Sequence, residues 1–234
     1  MTIVDARPAS RTGVFADRQR VAAATFLVLG PATMLVAFAL AAVAERSAPG
    51  QEDLLVAKAA PTASALATIG DLLTVPSMLA FATVLLLLTR PWSARVAWTG
   101  TVAMVLQLGA LGSVVGMELF GAVLVQDGVP VATVQHGMDA LTSNPAGVVL
   151  AILFFPTEVV AFIALGAALW RTRWVPRAIP VLLWAFPVLD MATPNHPKGL
   201  HVVAFALFLG AFAWLAALVL REGAPRPLAQ EHTA

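Results

Sequence analysis

The chain has 234 residues, of which 59% are hydrophobic and only 12% are charged, and its formal net charge is +1. Soluble domains carry about 25% charged residues, so this composition excludes an ordinary soluble protein and indicates a membrane protein. The small net charge gives no indication of nucleic-acid binding. The absence of cysteine excludes disulfides, thiolate chemistry and cysteine-ligated metals.

Apolar stretches along the chain predict an all-α, polytopic bundle of about six transmembrane helices. Residues 1–20 contain arginines and little apolar sequence, which predicts a cytoplasmic tail. The first span follows at 21–44, and its Gly30-Pro31 step predicts a kink. Its Ala-Val-Ala end is similar to a signal-peptidase site, but the apolar run is about twice as long as the core of a signal peptide, which favours an uncleaved anchor.

The remaining spans and the segments between them follow from the same patterns. Spans are predicted at 66–89, 96–126, 147–170, 178–191 and 201–220, followed by a cytoplasmic tail at 222–234. Two cap segments are predicted on the outer face of this single transmembrane domain, 21–221. The first, 45–65, is a loop with a short helical turn. The second, 127–146, has apolar residues every three or four positions, which predicts an amphipathic helix on the bilayer surface.

The distribution of basic residues predicts the orientation. If both termini are cytoplasmic, 11 of the 14 basic residues lie on the cytoplasmic side. The other three are Arg46, Lys58 and Lys198. We therefore expect a multi-pass protein of the cell (inner) membrane, in contact with the lipid bilayer.

The fourth span has a carboxylate in its middle, at Glu158, with apolar chain on both sides and no basic residue in the span. An ionised carboxylate there is costly, so it must be neutral, paired or directed to a polar cavity. At helical spacing, Glu158 shares its face with Phe154, Phe155 and Phe162. A buried acid beside aromatic rings is the most informative local feature of the sequence.

Three further acids lie in the outer half of the predicted spans. Counting ~1.5 Å per residue, Asp71 lies roughly 8 Å, Glu118 roughly 12 Å and Glu158 roughly 16 Å below the outer ends of their helices. Asp190 lies at the outer mouth of its span. These depths predict an acidic cavity that opens outward beneath the cap segments. As alternatives, Asp71 could cap a helix that begins at 72, Asp190 could be solvated or paired with Lys198, and the two glutamates could hydrogen-bond neighbouring helices.

Such a cavity suits acid–base chemistry on a hydrophobic small molecule. Burial and neighbouring acids both favour the protonated form of a carboxyl group, which can protonate an olefin or an epoxide, and a second carboxylate can remove a proton at the end. Aromatic faces can stabilise a passing carbocation. We expect catalytic roles for Glu158 and Glu118, assisted by Asp71 and Asp190. The expected substrate-binding residues are Phe154, Phe155, Phe162, Phe120, Trp184, Phe186 and His201, although His201 could instead brace its loop.

The segment PTEVVAF around Glu158 resembles the Pro-x-Glu-Glu motif of the membrane lycopene cyclases, with Val159 in place of the second acid. In size and span pattern the chain also resembles the small integral-membrane terpene cyclases of meroterpenoid and indole-terpenoid pathways. This resemblance implies a terpene cyclase or isomerase that uses buried acids. The segment 171–184 equally resembles uncharacterised actinobacterial multipass membrane proteins.

No cofactor and no metal are expected, because the sequence contains no DDxxD-like cluster for a magnesium-bound diphosphate. A carboxylate/histidine metal site at Glu118, Glu158, Asp190 and His201 remains an option without a helical ligand signature. The main alternative function is a proton- or cation-coupled transporter or binding protein, for which prolines such as Pro76 and Pro156 would supply broken helices. A purely structural membrane protein is the broadest alternative, and the oligomeric state is not predicted.

Overall fold

The computed structural model of the protein describes residues 15–46, 53–192 and 198–222. These residues are all-helical, as predicted, and contain no strand. The helices are α1 (Asp17–Arg46), α2 (Asp53–Ala59), α3 (Pro61–Gln126), α4 (Val131–Ser143), α5 (Pro145–Thr172), α6 (Ala178–Ala192) and α7 (Lys198–Glu222). The predicted tails, 1–20 and 222–234, lie mostly outside the described residues, although α1 already begins at Asp17.

Four of these helices (α1, α3, α5 and most of α7) are long and apolar enough to cross a membrane. Their outward faces expose large hydrophobic side chains, among them Phe120 at 65% and Ile152 at 59% of full exposure. So much exposed apolar surface is unusual for a soluble protein. The apolar helices thus indicate contact with a lipid bilayer.

The longest helix, α3, folds back on itself. Its 66 residues would extend for about 99 Å if straight, roughly three times the thickness of a bilayer core. Ser93 breaks the helix with φ −161° and ψ 68°. A methyl group on Gly112 would lie 3.9 Å from Val75, so the two halves, 61–92 and 94–126, lie side by side. The break lies between the predicted spans 66–89 and 96–126.

The first half of α3 begins at Pro61, earlier than the predicted start at 66. Proline is well tolerated in the first turn of a helix, because the N–H group that it lacks has no intrahelical acceptor there. Asp71 therefore lies inside a helix. The alternative in which it caps a helix beginning at 72 is wrong.

Small residues hold α1 close to the first half of α3. A methyl group on Gly70 would lie only 3.1 Å from the Cα atom of Ala37. The hydroxyl groups of Thr33 and Ser77 form an interhelical hydrogen bond of 2.7 Å. Close backbone approach and hydrogen bonds of this kind are the main forces between helices in lipid.

The second half of α3 packs antiparallel to α5. Near one end of this pair, Arg171 Nη1 donates a hydrogen bond to Ser93 Oγ at 2.8 Å. Further along, a methyl group on Gly100 would lie 2.9 Å from the backbone nitrogen of Leu165, so the two backbones nearly touch. At the other end, the side chain of Asn144 accepts a hydrogen bond from the Gly147 N–H (3.0 Å) and caps the start of α5.

Helices α6 and α7 complete the bundle: α6 contacts α5 and α7, and α7 also packs against α1. A column of phenylalanine rings joins these helices. Phe186 on α6 lies 4.9 Å from Phe162 and 4.8 Å from Phe208, measured between ring centroids. Phe212 continues the column to Phe81 on α3 at 4.7 Å. Most of these rings are fully buried, so they form the centre of the core.

The short helices α2 and α4 cover the end of α3 opposite Ser93. They fall within the predicted cap segments, 45–65 and 127–146, except that residues 47–52 lie outside the described part. A methyl group on Gly121 of α3 would lie 3.0 Å from Met138 Sδ of α4 and 3.2 Å from Leu54 Cδ2 of α2. Because Gly121 has no side chain, both cap helices can pack closely against α3.

Candidate functional site

A cavity of about 310 Å³ lies between α1, α2, both halves of α3, α5, α6 and α7. We call it the inner chamber. Its polar lining residues are Asp53, Asp71, Thr74, Gln107, Glu118 and Glu158. Its aromatic lining residues are Phe38, Phe154, Phe186 and Phe205. An apolar cavity of this size with a few converging polar groups is typical of small-molecule binding sites.

A second cavity of about 430 Å³, the outer chamber, lies beneath the cap helices. Leu54, Val56 and Ala57 of α2 and Gln135 and Met138 of α4 form part of its wall. Asp53, Asp71 and Glu118 line both chambers. Three carboxylates therefore lie at the junction of the chambers, and Glu158 lines only the inner one.

The packing of α3 against α5 determines where Glu158 lies. The close contact of Gly100 with Leu165 sets the antiparallel register of this pair. Seven residues further toward the cap on each helix, about two turns, the same register brings Gln107 opposite Glu158. Both residues are buried, with 5% and 3% of their surface exposed, respectively. Helices α3 and α5 are thus in tight contact at Gly100 and border a cavity two turns away.

The lining is acidic. Of the described residues that line the two chambers, four are carboxylates and none is basic. Each of these four carboxylates takes part in an interaction within the structure. Such a lining attracts cations and hydrogen-bond donors and disfavours anionic groups such as diphosphates.

The predicted site residues fall into several groups. The structure brings Glu158, Glu118 and Asp71 together around the inner chamber, with Phe154 and Phe186 in its walls. His201 lies beside it, stacked on the lining ring of Phe38 at 5.5 Å. Asp190 lies in α6, but its side chain is outside the described part of the chain.

Four predicted binding residues do not line either chamber. Phe162 is fully buried in the phenylalanine column. Trp184 donates a hydrogen bond to the backbone oxygen of Ile163 at 3.0 Å. Phe155 and Phe120 are 49% and 65% exposed on the outside of the bundle. Phe162 and Trp184 therefore pack between helices, and Phe155 and Phe120 lie on the outer surface of the bundle.

The site also contains residues that were not predicted: Asp53, Gln107, Phe38 and Phe205. Gln107 carried a signal, because it is a polar residue in an apolar span and lies eleven positions before Glu118, about three helical turns away on the same face. Asp53 is on a cap helix, within the segment 45–65 that was predicted as a loop with a short helical turn. Phe38 and Phe205 are indistinguishable in the sequence from other core aromatic residues.

Within the described residues, no group of three or more histidine, aspartate or glutamate side chains is arranged to hold a metal ion. The arrangement can instead exchange protons and hydrogen bonds with a ligand that has a substantial apolar part. Comparisons of the chain with protein-family models, curated proteins and solved structures found no match. The similarity to membrane terpene cyclases therefore stays a prediction.

Proposed function

We propose that the protein is a membrane-embedded cyclase or isomerase that acts on a lipid-soluble prenyl substrate. One observation carries this proposal: Glu158, Glu118 and Asp71 line the same chamber as Phe38, Phe154, Phe186 and Phe205. Acids that can give and take a proton are thus combined with ring faces that can stabilise a carbocation. The acidic lining, in which no described residue is basic, favours a substrate without a diphosphate group.

In the proposed reaction, a carboxyl group, for which Glu158 is the preferred candidate, gives its proton to one carbon of an olefin. A carbocation forms on the other carbon, and the π electrons of a second olefin attack it to close a ring. A carboxylate, for which Glu118 is preferred, then takes a proton from a carbon next to the new cation, and those C–H electrons form a double bond. The product is an isomer of the substrate, and transfer of a proton between the two acids restores the enzyme.

The proposal includes a topology of six crossings, with α6 and each half of α3 crossing once and both termini in the cytoplasm. Five basic residues surround the turn at Ser93 and the end of α5: Arg90, Arg95, Arg171, Arg173 and Arg177. This cluster supports a cytoplasmic location for that end in the inner membrane. The chambers and cap helices then lie toward the outer face.

The experiment that tests the proposed function uses the origin of the transferred proton. Membranes that contain the protein are incubated in deuterated water with a panel of prenylated substrates, and products are identified by mass spectrometry. A product isomeric with its substrate, with deuterium bound to carbon, is expected. Membranes without the protein provide the control, and absence of deuterated product with every substrate contradicts the proposal.

Cation-coupled transport is a second candidate, favoured by the three carboxylates at the junction of the chambers. If this function is correct, wild-type vesicles show pH-dependent uptake of a solute without chemical change. The Asp71→Asn variant then loses uptake. Deuterium in a product separates the two functions, because transport makes no carbon–hydrogen bond.

A further inference from the structure

The side-chain amide of Gln107 is a buried polar group of the inner chamber. Gln107 is only 5% exposed, and it lines the chamber. Among residues 15–46, 53–192 and 198–222, its side chain makes no hydrogen bond, whereas the four lining carboxylates all have interactions. Among the described residues, the fully buried side-chain atoms that lack a partner belong to Trp92 and Trp174, so the amide of Gln107 still reaches the chamber, where water or a ligand can satisfy it.

The position of this amide indicates what it contacts. Its helix presents Gln107 opposite Glu158, at the level where the α3–α5 pair borders the chamber. The aromatic residues Phe154 and Phe186 line the same cavity. A ligand in the inner chamber can therefore contact the amide of Gln107, the carboxyl group of Glu158 and aromatic rings.

We infer that Gln107 binds a neutral oxygen atom, a hydroxyl or a carbonyl, of a ligand whose apolar body fills the inner chamber. The amide N–H group donates to this oxygen, which in turn lies near Glu158. An anionic oxygen is disfavoured, because the described lining residues include four carboxylates and no basic side chain. This inference rests on the proposed function and narrows its substrate to an oxygenated prenyl compound.

The volume of the chamber sets the size of the apolar body. At about 30 Å³ for each water-sized group, 310 Å³ holds about ten such groups. A ten-carbon prenyl alcohol is close to this size. A longer chain extends into the outer chamber, past the carboxylates at the junction.

Binding of matched probes tests the role of Gln107. The purified full-length protein in detergent is titrated with geraniol, with its aldehyde, and with the hydrocarbon of the same skeleton that lacks the oxygen. For the wild type, we expect at least one oxygenated probe to bind about tenfold more tightly than the hydrocarbon, the advantage of one well-placed hydrogen bond. In Gln107→Leu, this ratio falls to about one, while the hydrocarbon binds as before.

Unchanged hydrocarbon binding shows that Gln107→Leu keeps its fold and its chamber. Gln107→Met provides a second variant, which keeps the length of the side chain but has no hydrogen-bond donor; it also loses the preference for the oxygenated probes. The inference is overturned if the ratio in Gln107→Leu equals that of the wild type, which would mean that water satisfies the amide, or if no probe binds the wild type. If the ratios are as expected but no deuterated product forms, the proposed function fails and the binding role of Gln107 stands.

Discussion

The two ends of the contact between α3 and α5 differ in what lies between the helices. Near Ser93 the helices almost touch, because Gly100 has no side chain and Leu165 covers it. Two turns toward the cap, Gln107 and Glu158 both line a chamber of about 310 Å³. The same two helices therefore form a closed end and an open end over a short distance.

The difference shows how a bundle in lipid can hold a cavity without losing its packing. In the bilayer, water does not drive helices together, so their association depends on close packing and on hydrogen bonds. Glycine against leucine provides that packing at the closed end. Polar side chains at the open end need partners and space, and the cavity provides the space. The predictions below test this division, from the largest expected effect to the smallest.

The largest effect is expected at the open end. Replacement of Glu158 by glutamine keeps the shape of the side chain but removes its acid, so turnover of a prenyl substrate should fall at least about 100-fold. Rates are measured in membranes that contain equal amounts of folded protein. Phe155→Leu, on the exposed side of the same helix, is the control and should keep its rate. Full activity of Glu158→Gln would remove this residue from the acid role.

At the closed end, a single methyl group should decrease stability. Gly100→Ala places a methyl group 2.9 Å from the backbone of Leu165, which forces the helices apart. The control is Gly109→Ala on the same half of α3, where no atom lies within 4 Å. Both variants gain the same helix propensity, so the difference in their free energies of unfolding isolates the overpacking, about 1–3 kcal/mol. Equal unfolding curves in a denaturant titration would show that the helices do not touch at this point.

The smallest effect is expected for the hydrogen bond that joins α1 to the first half of α3, beside the chamber. Thr33→Val removes the bond to Ser77 and should lower the free energy of unfolding by about 0.6 kcal/mol, the average for such bonds between membrane helices. Thr25→Val is the matched control, since Thr25 donates only to its own helix, at Val21. If the two variants lose equal stability, the Thr33–Ser77 bond does not hold α1 in place.

The sequence was sufficient for features that depend on position along a helix. The helical composition and the turn near Ser93 both follow from counting residues between apolar boundaries. Direction around a helix was harder to predict, because lipid and core both accept apolar side chains. Phe120 was expected in the site, but it is two residues from Glu118, or about 200° around the helix, and is exposed on the other face.

The positions of Asp53, Phe38 and Phe205 in the site could not be predicted from the sequence. Asp53 lies at the junction of the chambers because α2 folds over the end of α3, where Gly121 leaves room for Leu54. No local pattern encodes this contact. Phe38 and Phe205 line the chamber because α1 packs against α7, and their ring centroids are 4.4 Å apart.

The phenylalanine column and the Gly100–Leu165 contact fill the bundle between the inner chamber and the arginines near Ser93. Phe162, Phe208, Phe212 and Phe81 fill the space beyond Phe186. A molecule that enters from the cap side therefore does not continue toward the arginines unless these rings move. A chamber that is filled on one side suits a protein that converts a molecule and releases it on the side from which the molecule entered.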